Sequence, residues 1–331
     1  MNPIGGYFSL EFNDGKELHQ SPVSSREGQG VRLLRLNAGR YALEYILKAR
    51  KYSKVYIPYY ICDSVLQPFK RLGVEYEFYR INEQLEPAVE QHPKDDEAVL
   101  YVSYFGLKNR YADTFSQTYR HTVLDYTQAF YSERVSKGIQ SDTFYSCRKY
   151  FGVPDGAYLY TDSLLDEELP QDESFERMTF LTKRIDRSPQ EGYSDFHAND
   201  KALSIVGMKR MSKLTEAMMQ GIDYSAKANR RIRNFHVLDK ALRSSNRFKW
   251  NMDEGTVPLV YPYYVDNGAR LRQYLIDHQV FCARYWPNVL EWCKPEDWEY
   301  QLAENLVCLP IDQRYDEEDM KKILDLFGSF Q

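Results

Sequence analysis

From Leu36 onward, short apolar runs alternate with longer stretches in which apolar residues recur every three or four positions. Lys54-Val55-Tyr56-Ile57, Val74 to Tyr79, Ala98 to Tyr104 and His121 to Leu124 read as strands. Asn37 to Leu47, Cys62 to Leu72 and a polar segment around Ala112 read as helices, the first with Asn37 as its N-cap. Strands alternating with helices predict an α/β fold whose mostly parallel central sheet carries helices on both faces, with ligands at the carboxyl ends of the strands. Further on, an amphipathic helix from about Tyr224 to Arg243 leads into strands at Val257–Tyr261 and Asn305–Pro310 and helices at Ala269–His278 and Glu317–Phe327. Asp316-Glu317-Glu318-Asp319 crowds acidic side chains where the macrodipole of that last helix favours them. The pattern divides the chain into a large unit, residues 1–222, and a smaller α+β unit, residues 223–331. Residues 1–30, with Gly5-Gly6-Tyr7-Phe8, read as an ordered arm more than a core element, and the acidic stretch Asp162 to Glu176 as solvated surface.

Composition narrows the function. A chain of 331 residues is long enough for a two-part enzyme or one large α/β domain. The net charge of −5, with no basic block, excludes a nucleic-acid surface, which needs clustered Lys and Arg. The five cysteines are scattered without a C-x-x-C pair, and the six histidines lack metal-ligand spacing, so neither a disulfide framework nor a metal site is expected. With no signal-peptide pattern at the start and no apolar run long enough for a bilayer, a cytoplasmic protein away from membranes is expected. G-x-S-x-G and G-x-G-x-x-G are both missing, which removes two common enzyme classes.

Two segments carry candidate chemistry. In Phe144-Tyr145-Ser146-Cys147-Arg148-Lys149-Tyr150-Phe151-Gly152-Val153-Pro154-Asp155-Gly156-Ala157 a lysine lies in an irregular stretch between two β-like runs, three residues after a hydroxyl. Upstream, Thr122-Val123-Leu124-Asp125-Tyr126-Thr127-Gln128-Ala129 is an apolar strand ending in a carboxylate, with a carboxamide three residues on. Lys149 alone reads as a surface lysine. Asp125, Gln128, Ser146 and Lys149, in that order and spacing within an α/β pattern, read as a site.

Together these segments resemble the D-x-x-Q-A and S-x-x-K-like segments of the DegT/StrS group of nucleotide-sugar aminotransferases, which have the aspartate-aminotransferase fold (fold type I) and use pyridoxal 5'-phosphate. The likeness runs loosely from about Asn37 to the C-terminus. It implies that Lys149 is the Schiff-base lysine and proton carrier, that Asp125 faces the pyridine nitrogen, that Gln128 bonds the ring oxygen and that Ser146 bonds the phosphate. At the start of the Asn37 helix the family holds the phosphate on a small S-G-T-like turn. Here Gly39 and Arg40 occupy it, so a guanidinium joins the backbone amides. The aromatic that stacks on the ring in the family matches Cys62, so Tyr60 or Tyr104 is the expected substitute. Val206 to Ala217 resembles the G-x-N-x-R-M segment that reaches into a neighbouring subunit's site. Its asparagine is missing, and Lys209 or Arg210 either replaces the phosphate contact or belongs to a plain solvated turn. Ala157 stands where the family commonly has a second glycine.

The resemblance further implies a homodimer that moves an amino group, from glutamate, to a keto-sugar carried on a nucleotide. Relatives that remove a hydroxyl carry histidine at the position of Lys149, which favours transfer over dehydration. Two alternatives stay open: a catalytically silent or regulatory protein that keeps the fold and the cofactor, and an α/β nucleotide-sugar transferase without the cofactor.

Overall fold

The structure, a computed structural model, describes residues 3–10, 21–23, 30–90, 92–133, 141–250, 252 and 255–330, with the backbone alone at Asn109. Most of the predicted arm, residues 11–20 and 24–29, lies outside the described residues, as does His19. The chain enters as β1 (Ile4–Gly5) and continues with β2 (Arg32–Leu36), α1 (Gly39–Arg50), β3 (Lys54–Pro58), α2 (Leu66–Leu72), β4 (Glu75–Ile81), β5 (Pro87–Ala88), β6 (Glu97–Val102), α3 (Asn109–Thr118), β7 (Thr122–Asp125), β8 (Ser141–Ser146) and β9 (Ala157–Thr161). Eight of these strands form one sheet in the order β2-β9-β8-β7-β6-β3-β4-β5. Its middle, β8-β7-β6-β3-β4, is parallel, and antiparallel β9, β2 and β5 complete the two sides. All positions of β6 and β7 are buried, as continuous apolar runs covered on both faces require. The one carboxylate in β6, Glu97, survives burial because Tyr56 Oη (3.1 Å) and the Lys94 amide (3.0 Å) donate to it.

Helix α1 is buried from Tyr41 through Leu47, wedged against α2 and the β8–β9 side of the sheet. Its expected cap is displaced: Ala38 is the N-cap and no side chain caps the helix. Asn37 instead spends its amide on Asp172 Oδ2 (3.3 Å) and Gly207 O (3.0 Å), tying the helix entry to a distant loop. Asp162 to Glu176 is mostly exposed or half-exposed, as expected, but Asp172 and Ser174 are buried, Asp172 between Asn37, Arg177 (2.6 Å) and Lys209 (3.5 Å).

Beyond the sheet follow α4 (Thr179–Asp186), α5 (Tyr193–Ile205), α6 (Lys213–Gln220) and α7 (Tyr224–Leu242). Then come β10 (Val260–Tyr264), α8 (Gly268–Asp277), β11 (Val280–Phe281), α9 (Val289–Trp292), α10 (Trp298–Asn305), β12 (Leu306–Pro310) and α11 (Glu317–Ser329). The β10 strand starts three residues later than the predicted Val257, because pairing with β12 places Val260 opposite Pro310 and Tyr264 opposite Leu306. A capping box between Asp316 and Asp319 opens α11, as the acidic cluster implied. A second core gathers Phe235, Leu238, Tyr261, Leu275 and Leu309, and Ile4 belongs to it. The amino terminus is therefore no free arm: β1 pairs with β11, and Arg314 donates to the Tyr7 (2.6 Å) and Gly6 (3.1 Å) carbonyls. The main core itself extends into Leu259, Val260 and Trp286, so the carboxy-terminal part packs directly on the large sheet. No helix among the described residues is long and apolar enough to cross a membrane.

Candidate active site

Strands β3, β6, β7 and β8 run parallel, so their carboxyl ends lie along one edge of the sheet. There a cavity of about 520 Å³ opens, and its wall includes Gly39, Arg40, Asp125, Ser146 and Lys149. Register places Asp125 beside Phe144, and two residues beyond Phe144 the chain leaves β8 at Ser146. It then makes a helical turn, with Tyr150 and Phe151 amides both donating to Cys147 O (3.0 and 2.9 Å), and Lys149 projects from that turn. The turn is closed by Cys147 N to Gly156 O (3.1 Å) and fixed to the entry of α1 by Gly156 N to Asn37 O (2.7 Å). Gly156 is required here: its φ is +115°, and a Cβ would lie 3.0 Å from Thr215 and 3.2 Å from Cys147. Asp155 anchors the far side by accepting from Ser212 N (2.8 Å), Ser212 Oγ (2.7 Å) and Thr215 Oγ1.

Lys149 Nζ donates to Thr127 Oγ1 at 2.9 Å, and the Thr127 amide donates to Asp125 Oδ1 at 2.9 Å. Asp125 is only 4 % exposed. Burial raises its pKa, while the Lys149 charge and the Thr127 bonds pull in the other direction without cancelling the rise. A buried carboxylate of this kind is under-compensated, and it is better satisfied when a further cationic group comes against it.

On the wall of the same cavity, Arg40 and Arg148 converge on one carboxylate, Asp200 of α5, at 3.5 and 3.1 Å. Arg40 also donates to Gln67 Oε1 (2.9 Å). Burial alone would raise the Asp200 pKa, but the Arg148 and Arg40 charges hold it below the usual carboxylate range. Burial also lowers the pKa of Arg148, against the pull of Asp200. Helix α1 begins beside these guanidiniums at Gly39, whose hypothetical Cβ would press on Thr127 Cγ2 at 3.3 Å. Two guanidiniums and an uncapped helix start form an anion cradle.

Two predicted ligands are absent from the wall. Tyr60 is fully buried behind it, with its ring on those of Tyr104 and Trp286 (centroids 5.5 and 5.2 Å), and Tyr104 Oη donates to Tyr60 O at 2.7 Å. Both tyrosines are buried, and neither lines the cavity. Gln128 is also interior: its side-chain oxygen accepts from the Phe105 amide (2.8 Å) and its carbonyl from Tyr150 Oη (2.6 Å). Its part is to brace the turn after β6 against the lysine turn. Lys209 is engaged by Asp172 in the same chain. Cys62, the position that matched the family's stacking aromatic, does line the cavity, which also brings in Thr127, Arg148, Asp200 and Trp286, none of them singled out by the sequence pattern as site residues. Thr127 and Arg148 lie inside the two motifs already noted. Asp200 and Trp286 carry no local signal.

A second, more apolar cavity of about 640 Å³ shares Arg148 and Lys149 with the first and lies against Tyr7, Phe8, Phe281 and Tyr285. The lysine turn thus borders both a polar chamber at the strand ends and an apolar chamber at the junction with the carboxy-terminal elements.

No family model matches the sequence, and no curated protein matches it. Solved structures do match. The aminotransferase TlmJ from Streptoalloteichus hindustanus is 14 % identical over 90 % of this chain and 85 % of its own, with a TM-score of 0.63. A putative sugar aminotransferase, Spr1654 from Streptococcus pneumoniae in its PLP form, is 12 % identical over 98 % of both chains, with a TM-score of 0.62. A DegT DnrJ EryC1 StrS aminotransferase from Brucella abortus is 16 % identical over 96 % of this chain and 92 % of its own, with a TM-score of 0.59. At such identities the likeness establishes the fold: the chain has the aminotransferase fold expected from its two motifs.

Proposed function

We propose that this protein is a pyridoxal 5'-phosphate-dependent aminotransferase that passes an amino group from glutamate to a keto-sugar, carried on a nucleotide, and that it works as a homodimer. The observation that carries the reading is the Asp125–Thr127–Lys149 chain of hydrogen bonds, placed at the carboxyl ends of parallel strands and sharing one cavity with an anion cradle. The fold-level likeness to sugar aminotransferases supports the same reading. A division of labour between residues 1–222, which would hold the cofactor, and 223–331, which would help shape the substrate side, belongs to the proposal.

The residues fit the cofactor. Bound pyridoxal phosphate supplies an electron sink for the charge left when a proton leaves the substrate α-carbon. Asp125, dehydrated and short of positive partners, holds a proton on the ring nitrogen. Arg40, Ser146, Arg148 and the start of α1 bind the phosphate. Lys149 would hold the cofactor covalently, and its amine would take and return a proton at the substrate α-carbon. Thr127 Oγ1 orients Nζ for that work.

The test is spectroscopic. Purified protein mixed with pyridoxal phosphate should develop the near-visible band of a lysine-bound cofactor, and glutamate should bleach it. Lys149→Ala should lack the band. A band indifferent to every amino donor would mark a cofactor-binding protein without turnover. Failure to develop any band would refute the reading.

A further inference from the structure

The geometry points to Trp286, delivered from the carboxy-terminal part of the chain, as the aromatic side chain against which the cofactor ring lies. This rests on the reading above. A pyridine ring held by its phosphate and its nitrogen still has two faces, and packing an aromatic against one of them fixes its tilt. On the large sheet, the turn after β3 presents Ile61 and the Cys62 thiol to the cavity, while Tyr60 and Tyr104 stay behind the wall. Burial pushes the Cys62 thiol pKa up, with Ser64 and Lys149 opposing, so it faces the cavity as a neutral thiol.

Trp286 lines the same cavity and is 8 % exposed. Its loop is seated on the β3 turn. Asn288 Nδ2 donates to Ile61 O at 2.9 Å, and the Trp286 ring meets Tyr60 edge-on at 5.2 Å and 64°. A further ring, Tyr104, lies 6.4 Å away, and Trp286 O accepts from the Val289 amide (3.1 Å) where α9 begins. The indole is thus packed against two tyrosines, and its loop is tied to Ile61, the residue before Cys62. Two phenylalanines also line the wall. Phe144 lies 3.9 Å from the space beside Gly39, next to the anion cradle. Phe196 belongs to a cluster with Tyr7 (5.1 Å) and Phe180 (5.6 Å) and lies beneath the Arg148 guanidinium (5.9 Å).

An aromatic supplied by the carboxy-terminal part makes cofactor binding a contact between the two parts of the chain. Trp286→Leu removes the ring, and Trp286→Phe keeps its packing on Tyr60 with a smaller face. Pyridoxal phosphate titrations followed by near-visible absorbance and circular dichroism should show Trp286→Leu binding roughly 3- to 10-fold more weakly, with a changed dichroic band. Trp286→Phe should bind within about 2-fold of the parent, again with a changed dichroic band. In the Trp286→Leu background, Cys62→Phe should recover affinity by supplying a ring from the neighbouring turn after β3. Parent-like affinity and dichroism in both single variants would overturn the inference. If Trp286→Leu does not fold, Trp286→Phe with an unchanged dichroic band overturns it alone. A parent protein that shows no near-visible band refutes the cofactor reading, and this inference with it.

Discussion

Lys149 and Asp125 are coupled through a single residue: Thr127 takes the lysine's hydrogen bond on its hydroxyl and gives its own amide to the carboxylate, both at 2.9 Å. The hydroxyl therefore sets where the amine points, while the backbone amide, which valine or serine at this position would keep, holds the carboxylate in place. Thr127→Val should lower the rate of amino transfer by roughly 10-fold or more, the worth of a hydrogen bond to a charged group. Thr127→Ser should restore most of it. Single-turnover kinetics with glutamate check this, and equal rates in the two variants would show that the hydroxyl has no part in orienting Nζ.

Asp125 gives a pH-dependent prediction. Its folded-state pKa is raised by burial, so the folded protein binds this proton more tightly than the unfolded chain does. Stability from this group is therefore greatest at low pH and falls as pH rises through the raised folded value. Asp125→Asn should be at least as stable as the parent at neutral pH, and the difference should shrink as pH falls below about 4, where the parent carboxyl becomes protonated in both states. The same variant should lose about 100-fold or more in transfer rate. Thermal midpoints across that pH range, with turnover measured alongside, test the two halves separately.

The cradle predicts selectivity for the phosphate. Arg40→Gln should weaken pyridoxal phosphate binding about 10-fold or more, the cost of one charge-assisted contact, and leave pyridoxal without its phosphate unaffected. Comparing the two titrations checks the assignment. An equal loss for both ligands would place Arg40 away from the phosphate.

Asp155 predicts a structural effect. It is fully buried and takes three hydrogen bonds from Ser212 and Thr215, so Asp155→Ala leaves those donors without their acceptor at the start of α6. A loss of roughly 3 kcal/mol in unfolding free energy is expected. Urea unfolding measures it. Because Gly156 in the same turn donates to Asn37 O, the variant should also bind pyridoxal phosphate more weakly than its stability alone would explain.

The alternation of apolar runs determined the parallel sheet, and the positions of Asp125 and Lys149 just where β7 and β8 give out followed from it. These are local matters: which residues are apolar, with what period, and what stands at the end of the run. Only the tertiary structure decided which side chains meet. It buried Tyr60 against Tyr104 and Trp286 and Gln128 against the Phe105 amide, and it drew Asn37 from its cap to Asp172 and Gly207. It also carried Asp200 to Arg148 across 52 positions and set Trp286 beside Cys62. Contacts between distant segments depend on how whole elements pack, and a periodic pattern specifies the face an element buries without specifying what it will find there.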